Sequence, residues 1–588
     1  MKRISTPIRF CRAAIPFLVH AVCQAAPETV EPLIRVNQIG YLPTANKVAV
    51  IADPQVGQNA EEAFAAGASY EVRRWTDDAV VFAGAPVLWN GGATHAQSGD
   101  RGWWFDFSAV DEPGSYYVWD VENAAGSYRF EIGEDVYNEV LVAAMRTFYY
   151  QRLGVAKEAV HAGEAYADDA AFIHAGQDGE SRSVYDRQNP DTARELSGGW
   201  MDAGDYNKYV TFAEAPVHQL LNAYAERPEA FGDDTNIPES GNGIPDILDE
   251  VRFEMLWLAK MQEDDGGVLL KMGNVAGASA SPPSEDLRPR YYVPSCSSST
   301  IAAAGMYAHA ALIFRDYEPW KQFAAELEAQ ATAAWEWYHA NPKSTDCDDG
   351  TVQAGDADRD LGSQQQSALV SAVYLHQLTG ETSFRQYVLD NFDAANPFSS
   401  GFYSVYTSYA AEALLYYVET EFAPASIRDT VRQRKLAQEN GDVIMAWADA
   451  NDLYRAFMPN AQYHWGSLIV SANFANANLD YREFGYDEAD LAERRKRAEG
   501  FLDAFFGVNP MGYTYLTRME PFGAENSIQE IYHSWFAYDS DWDMNPPPGT
   551  CPAGRTRATA ARWRSSKACR RRSPTSTSTK AGRRRRGR

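Results

Sequence analysis

Residues 245–262 read PDILDEVRFEMLWLAKMQ, and their pattern decides the fold of most of this 588-residue chain. Apolar side chains recur every three or four residues, and a proline stands first, where a helix has no hydrogen bond for it to remove. The apolar residues of the predicted face are Ile247, Leu248, Val251, Met255 and Leu258. The segment therefore predicts an amphipathic α-helix that packs on a core.

Similar periodic runs lie on both sides of that helix. They are found at residues 136–151, 299–316, 320–340, 364–378, 408–420, 465–480 and 487–506. So many helices without intervening strands predict an all-α domain over residues 136–543. Periodicity alone leaves open whether the helices form a toroid of hairpins or another large helical fold.

The preceding residues, 32–134, read instead as a small β-sandwich. Short apolar or alternating runs predict strands at residues 47–53, 69–75, 102–110, 115–121 and 127–132. Turn signals such as Asn90-Gly91-Gly92 and Pro113-Gly114 separate several of them. No long flexible linker follows the last strand, so we expect the sandwich to pack tightly on the helical domain.

The N-terminal residues 1–26 have the features of a secretory signal. Basic residues precede a short apolar run at 13–22, and Ala25-Ala26 offers a small-residue cleavage site. The sequence therefore predicts a secreted or periplasmic protein. In such a compartment Cys296 and Cys347 could form a disulfide, but the sequence leaves their pairing open.

The charge is distributed unevenly along the chain. The formal net charge is −27, yet residues 544–588 contain 12 Arg, 2 Lys and no Asp or Glu. The acidic body argues against nucleic acid or a membrane as a partner, and we expect a monomer. Aromatic residues make up 13% of the chain, which suits either a sugar-binding groove or a large helical core.

The sharpest local signal is residues 198–209, which read GGWMDAGDYNKY. Its glycines permit tight backbone geometry, and Asp202 and Asp205 lie three residues apart. Two close carboxylates can hold one water and take its proton, as inversion at a glycosidic bond requires. A turn or a calcium-binding loop would use the same residue types, so the residues alone do not decide among a catalytic site, a turn and a calcium site.

Five segments in order resemble glycoside hydrolase family 9. Residues 198–209 resemble its Asp-Ala-Gly-Asp-Tyr catalytic loop, and 242–250 (NGIPDILDE) resemble its next block. Trp465-Gly466-Ser467 and 506–512 (FGVNPMG) fit later segments. Upstream, 36–41 (VNQIGY) resembles the start of the immunoglobulin-like module that precedes many such domains.

The resemblance implies an all-α (α/α)6 barrel with an open groove, preceded by an all-β immunoglobulin-like sandwich. It implies an inverting hydrolase of β-1,4-glucans that requires no cofactor, although calcium is possible. Asp205 would be the general base, and Asp202 would position the water. The substrate-binding candidates are Tyr206, His533 and Trp535, while Trp200 is expected in the core. Three further acids are expected to be structural: Asp246, Asp249 and Glu250.

Two departures from the family affect the expected activity. Where typical members carry His-His-Arg, residues 532–535 read YHSW. The family's general acid is a Glu downstream of that place, but the last acidic residue here is Asp543. The only late glutamates are Glu520, Glu525 and Glu530.

Residues 544–588 are accordingly predicted to be either a disordered basic tail or an out-of-frame replacement of the native terminus. The second interpretation predicts a chain that binds glycan but hydrolyses it poorly. Two rival functions stay open: an exo-acting β-glucosidase or β-glucosaminidase, and a non-catalytic carbohydrate-binding protein.

Overall fold

The computed structural model describes residues 27–57, 59–62, 64–276, 280–396, 409–441, 452–463, 466–485, 491–531 and 546–551. The predicted signal segment lies outside these residues, as does most of the predicted tail. Within the described ranges, every helix is too short or too polar to cross a bilayer.

The N-terminal part is a β-sandwich, as predicted. Its strands are β1 (Ile34–Arg35), β2 (Gly40–Tyr41), β3 (Val48–Pro54), β4 (Tyr70–Arg74), β5 (Val80–Gly84), β6 (Val87–Leu88), β7 (Asp100–Asp106), β8 (Gly114–Asp120), β9 (Ala125–Gly126) and β10 (Phe130–Ile132). One sheet has the order β1-β3-β7-β6, and the other has the order β2-β10-β8-β4-β5 with β9 beside β8. The ring of Tyr41 lies between them, edge-on to Phe107 and Phe130.

The remainder of the chain is rich in helices. They are α1 (Asn138–Gln151), α2 (Ala159–Ala162), α3 (Val210–Glu226), α4 (Asp246–Lys260), α5 (Ser297–Phe314), α6 (Lys321–Ala340), α7 (Leu361–Thr379), α8 (Thr382–Asn391), α9 (Tyr409–Glu419), α10 (Ala425–Gly441), α11 (Ser467–Glu483) and α12 (Leu491–Phe505). Helix α5 is buried on nearly every side and packs against α3, α4, α6 and α7. Its small residues allow this close packing, and a helix that is apolar all round belongs in a core.

The expectation of a helical domain without intervening strands is wrong. Six short strands lie within it: β11 (Arg182–Ser183), β12 (Lys208–Tyr209), β13 (Leu269–Gly273), β14 (Tyr291–Ser295), β15 (Thr514–Thr517) and β16 (Ser527–Ile528). Four of them form a sheet with the order β11-β14-β13-β12. These strands have two to five residues, too few for an alternating pattern to register.

The structure settles two points that the sequence left open: the pairing of two cysteines and the packing of the start of the predicted tail. Cys296 and Cys347 form a disulfide that ties the start of α5 to the loop before α7. The first described residues of the predicted tail pack on β15, where Thr517 Oγ1 donates to the carbonyl of Pro547 and Gly549 N–H donates to the carbonyl of Thr517.

The sandwich is joined to the helical domain by buried hydrogen bonds. Asn37 Nδ2 donates to Asp503 Oδ1 and to the hydroxyl of Tyr137, each at 3.0 Å. Gln38 Nε2 donates to the carbonyl of Gly512 at 2.9 Å. The segments around Asn37 and Gly512, which carry two of the family-like motifs, thus meet at the domain interface.

We expect Asn37→Ala to lower the free energy of unfolding by about 1–3 kcal/mol, because it leaves the buried Asp503 carboxyl with one donor fewer. Burial raises the pKa of Asp503 to about 7, and Arg455 and Asn37 partly offset that rise. The folded state therefore holds this proton up to about pH 7, and the donor matters most above that pH. Denaturant unfolding at pH 5 and pH 8 should show the larger loss at pH 8.

The matched control is Asn123→Ala, because Asn123 Nδ2 also donates to a carboxylate, Asp120 Oδ2 at 2.8 Å, but within the sandwich. Its loss should not grow between pH 5 and pH 8. Two separate unfolding transitions in the wild-type protein, or equal losses for Asn37→Ala at both pH values, would contradict a tightly coupled interface.

Candidate active site

The segment Gly198–Tyr209 leads into the N-terminal end of α3 and is fixed by close packing on α4. Gly199 has a φ of 77°, and a Cβ at that position would lie 2.6 Å from the ring of Trp257. Only glycine satisfies both the positive φ and the contact. Trp200 is buried beside it, with its N–H donating to Glu254 Oε2 at 2.6 Å. This agrees with the expectation that Trp200 belongs to the core.

A buried ion pair holds the end of the segment. Lys208 Nζ lies 2.9 Å from Asp178 Oδ2, and Arg290 Nε lies 2.6 Å from Asp178 Oδ1. Lys208 Nζ also donates to the carbonyls of Leu196 and Gly198. Burial lowers the pKa of Lys208 to about 8, and Asp178 partly offsets that fall. The ammonium group of Lys208 therefore connects the two ends of the segment.

Asp205 is almost fully buried, and its carboxylate accepts three hydrogen bonds. The N–H of Asn207 donates to Oδ1 at 3.0 Å, and Asn207 Nδ2 donates to Oδ2 at 3.3 Å. The hydroxyl of Tyr209 donates to Oδ2 at 2.7 Å. Three donors on one carboxylate fix its orientation.

Asp202 differs from Asp205 in its exposure, since its side chain reaches solvent. Its N–H donates to the carbonyl of Asn207 at 2.9 Å, which closes the turn that brings the two aspartates together. The pKa of Asp202 is raised to about 7, first because the surrounding protein displaces water that would stabilise the charged carboxylate, and second because Asp205 is negatively charged. The segment thus presents one buried, oriented carboxylate beside one that titrates near neutral pH.

Tyr206 does not occupy the position predicted for it. Its ring is fully buried, with a φ of 57°, and packs on Phe172. Its hydroxyl donates to the carbonyl of Ala280 at 2.7 Å. A ring enclosed in this way has no free face for a sugar, so Tyr206 is not a stacking platform and supports the turn instead.

The three acids at the start of α4 have structural partners. Asp246 Oδ2 accepts from Thr235 and Ser240, and Asp249 accepts from Asn242 Nδ2. The guanidinium of Arg152 lies 3.0 Å from Glu250 Oε1. In the described part of the chain, the one cluster sized for a metal is Cys296, Cys347 and Asp358, and its two sulfurs are joined to each other.

His533 and Trp535, the other predicted sugar contacts, lie outside the described residues. Of the late glutamates, Glu520 lies on a short turn after β15 and accepts a hydrogen bond from Gln529 Nε2 at 2.9 Å. Glu525 is exposed.

Three residues that the sequence did not single out belong to the site. Asn207 and Tyr209 hold the carboxylate of Asp205, and Phe212 stacks on Tyr209 with ring centroids 4.5 Å apart. Phe212 is 40% exposed, so it offers an apolar ring beside Tyr209. All three follow Asp205 within seven residues, but their roles depend on strand β12, which the sequence did not predict.

The arrangement suits one chemical task. A water between an ionised, oriented carboxylate and a solvent-facing one can donate a hydrogen bond to each and transfer a proton to the ionised group. Both lone pairs of that water oxygen remain free, and one of them can attack an electrophilic carbon bound next to the two aspartates.

Comparison with known proteins places this geometry in a family. Endoglucanase C of Cellulomonas fimi is 29% identical over 563 residues, which cover 90% of this chain and 48% of that protein. The xyloglucan-specific endo-β-1,4-glucanase of Bacteroides ovatus is 30% identical over 319 residues, covering 53% of this chain and 50% of that protein. The chain spans about half the length of these curated relatives.

A solved structure of a metagenome-derived glycoside hydrolase family 9 endoglucanase is 29% identical to this chain. It superposes with a TM-score of 0.75 over 89% of this chain and 90% of that one. Residues 29–124 match the cellulase N-terminal ig-like domain, and residues 137–561 match glycosyl hydrolase family 9. The chain therefore belongs to glycosyl hydrolase family 9, with a cellulase N-terminal ig-like domain before the catalytic one.

Proposed function

We propose that the protein hydrolyses β-1,4-glycosidic bonds of cellulose-type glucans with inversion of configuration. The observation that carries this proposal is the carboxylate of Asp205, oriented by three donors beside the solvent-facing Asp202. The names of the relatives, which are endoglucanases and a xyloglucan-specific glucanase, support the same substrate class.

In the proposed reaction Asp205 is the general base and Asp202 positions the water. The water oxygen bonds to the anomeric carbon from the face opposite the leaving group, while one of its protons passes to Asp205. The glycosidic C–O bond breaks, and its electron pair leaves with the oxygen, which takes a proton from a general acid. Inversion places that acid about 6.5–9.5 Å from the base, across the bond.

We expect proton donation to the leaving oxygen to be the slower part of this reaction, because residues 1–588 offer no clear general acid. Residues 544–588 contain no Asp or Glu, although the family's acid lies downstream of the 532–535 segment. An activated substrate whose leaving group departs without a proton bypasses this step. A β-glycosyl fluoride is such a substrate, because fluoride leaves with the bonding pair unaided, and it reports on the base alone.

We expect the protein to release fluoride from β-cellobiosyl fluoride, and Asp205→Ala to slow that release by about 10²–10⁴-fold through loss of the base. Azide needs no deprotonation, so adding it should restore fluoride release by Asp205→Ala and yield an α-glycosyl azide. The control Asp264→Ala changes an exposed aspartate away from the motif and should match the wild type.

Equal rates for Asp205→Ala and the wild type would show that Asp205 is not the base. Binding of cellobiose without any fluoride release by the wild-type protein would favour the rival function, a non-catalytic carbohydrate-binding protein. Weak proton donation should appear as a high ratio of fluoride release to cellulose hydrolysis. We expect this ratio to be much larger than in a family member that has the general acid.

Asp202→Asn should stabilise the folded protein at pH 8 and have little effect at pH 4. The folded-state pKa of about 7 exceeds the ordinary value of 3.8, so the folded state holds the Asp202 proton between these values. The protonated carboxyl contributes to the stability of the folded state. This contribution is fully present below pH 3.8 and is lost as pH rises through 7. The amide cannot ionise and avoids that loss.

Thermal melting at both pH values, with Asp264→Asn as the exposed control, measures the effect of Asp202→Asn. A lower melting temperature at pH 8, or equal shifts at both pH values, would contradict the raised pKa of Asp202.

The helices are proposed to form an (α/α)6 barrel with an open groove, which suits internal cleavage of a chain. The alternative is exo-action by a β-glucosidase or β-glucosaminidase, motivated by Ser534 in place of the family's arginine. We expect internal cleavage, with short β-1,4 oligosaccharides cut faster than long cellulose. Product analysis on a soluble cellulose derivative decides, since release of single sugars alone would contradict the endo assignment.

The remaining proposals follow from the chemistry. Two carboxyl groups and a water suffice for inversion, so the reaction needs no cofactor, and calcium is at most a structural ligand. We place the protein outside the cytoplasm as a monomer. The disulfide between Cys296 and Cys347 supports export, because such bonds persist in oxidising compartments.

A further inference from the structure

The hydroxyl of Tyr209 has one possible hydrogen-bonding arrangement. Asn207 Nδ2 lies 3.0 Å from the phenol oxygen and can only donate to it. The orientation of this amide is fixed at its other end, where Asn207 Oδ1 accepts from the N–H of Asn274 at 3.1 Å. The phenol proton must therefore point to its other neighbour, Asp205 Oδ2 at 2.7 Å.

Two neighbours hold the ring of Tyr209 in place. Strand β12 pairs with β13, with Tyr209 opposite Lys271, whose Nζ lies 5.6 Å from the ring centroid. Gly355 also approaches so closely that a Cβ there would lie 2.7 Å from the ring and its hydroxyl. The hydroxyl therefore cannot swing away from Asp205 unless β12 or the Gly355 loop moves.

The loop that carries Gly355 is itself tied to the same residues. Lys271 Nζ donates to the carbonyls of Val352 and Gly355, each at 2.9 Å, and lies 2.6 Å from Asp348 Oδ2. Asn207 Nδ2 donates to the carbonyl of Gln353 at 2.6 Å. The loop, the strand and the carboxylate thus form one connected unit.

We propose that Tyr209 is a positioning residue that orients the carboxylate of Asp205 and stabilises its charged form, with the loop around Gly355 as its brace. The inference rests on the proposed function, in which Asp205 is the base. Throughout the step the phenol keeps its own proton, and the proton from water goes to the carboxylate. Burial, and then the charge of Asp205, raise the pKa of Tyr209 well above its usual range, so the phenol does not act as an acid or a base.

Tyr209→Phe tests this role because it keeps the ring and removes only the hydroxyl. We expect kcat for fluoride release from β-cellobiosyl fluoride to fall by about 10- to 100-fold, as for a misplaced catalytic group, with KM within about twofold. The acid limb of the pH–rate profile should move to higher pH, since a donor to the ionised carboxylate is lost.

Tyr292→Phe is the matched control. Tyr292 lies in the same sheet, and its buried hydroxyl donates to the carbonyl of Thr192 at 2.8 Å and not to a carboxylate. This variant should lose stability alike at all pH values and keep the wild-type pH–rate profile. If Tyr209 served only packing, Tyr209→Phe would behave in the same way, which would overturn the proposal.

A second readout does not depend on turnover. Tyr209→Phe should lower the melting temperature in the wild-type background and much less in an Asp205→Ala background, where the hydroxyl has no carboxylate to donate to; equal losses in both backgrounds would overturn the proposal. Asp205→Ala separates the two hypotheses. Full activity in Asp205→Ala refutes the proposed function, whereas an inactive Asp205→Ala with an unaffected Tyr209→Phe refutes only the positioning role.

Discussion

Two carboxylates held close together in a protein repel each other, and the contacts around residues 198–209 give Asp202 and Asp205 different environments. The carboxylate of Asp205 is oriented by three donors, all from residues 207 and 209. Among the described residues Asp202 has no comparable set of donors, and it keeps its proton up to about pH 7. The pair therefore differs in environment although the residues are identical in type, and this difference supports the roles proposed for them.

Buried ion pairs fix the segments on which the two aspartates depend. Lys208 and Arg290 share Asp178, Lys271 lies against Asp348, and Arg152 lies against Glu250. Each pair joins segments far apart in sequence. A buried pair adds little net stability, but removal of one partner leaves an uncompensated charge that costs about 3–5 kcal/mol. Such pairs consequently select one arrangement of the chain around the site.

The sequence predicts the sandwich, the long helices and the Asp202–Asp205 loop because each rests on a local signal. It does not predict helix α3, where Pro216 interrupts the pattern, or α10, which is strongly polar. It also misplaces Tyr206, since an aromatic next to two aspartates looks the same in sequence whether it is buried or exposed. The donors to Asp205 depend on β12, a strand of two residues whose pairing with β13 is a long-range contact.

The disulfide between Cys296 and Cys347 links this local geometry to the compartment of the protein. The bridge closes a separation of 51 residues, which in the chain-entropy model stabilises the fold by about 4 kcal/mol. It also fastens the loop next to Asp348, whose carboxylate holds Lys271 beside Tyr209. In a compartment where thiols stay reduced, the disulfide does not form, and the loop next to Tyr209 loses this covalent tether. Oxidative folding thus contributes to the geometry of the proposed base as well as to the stability of the domain.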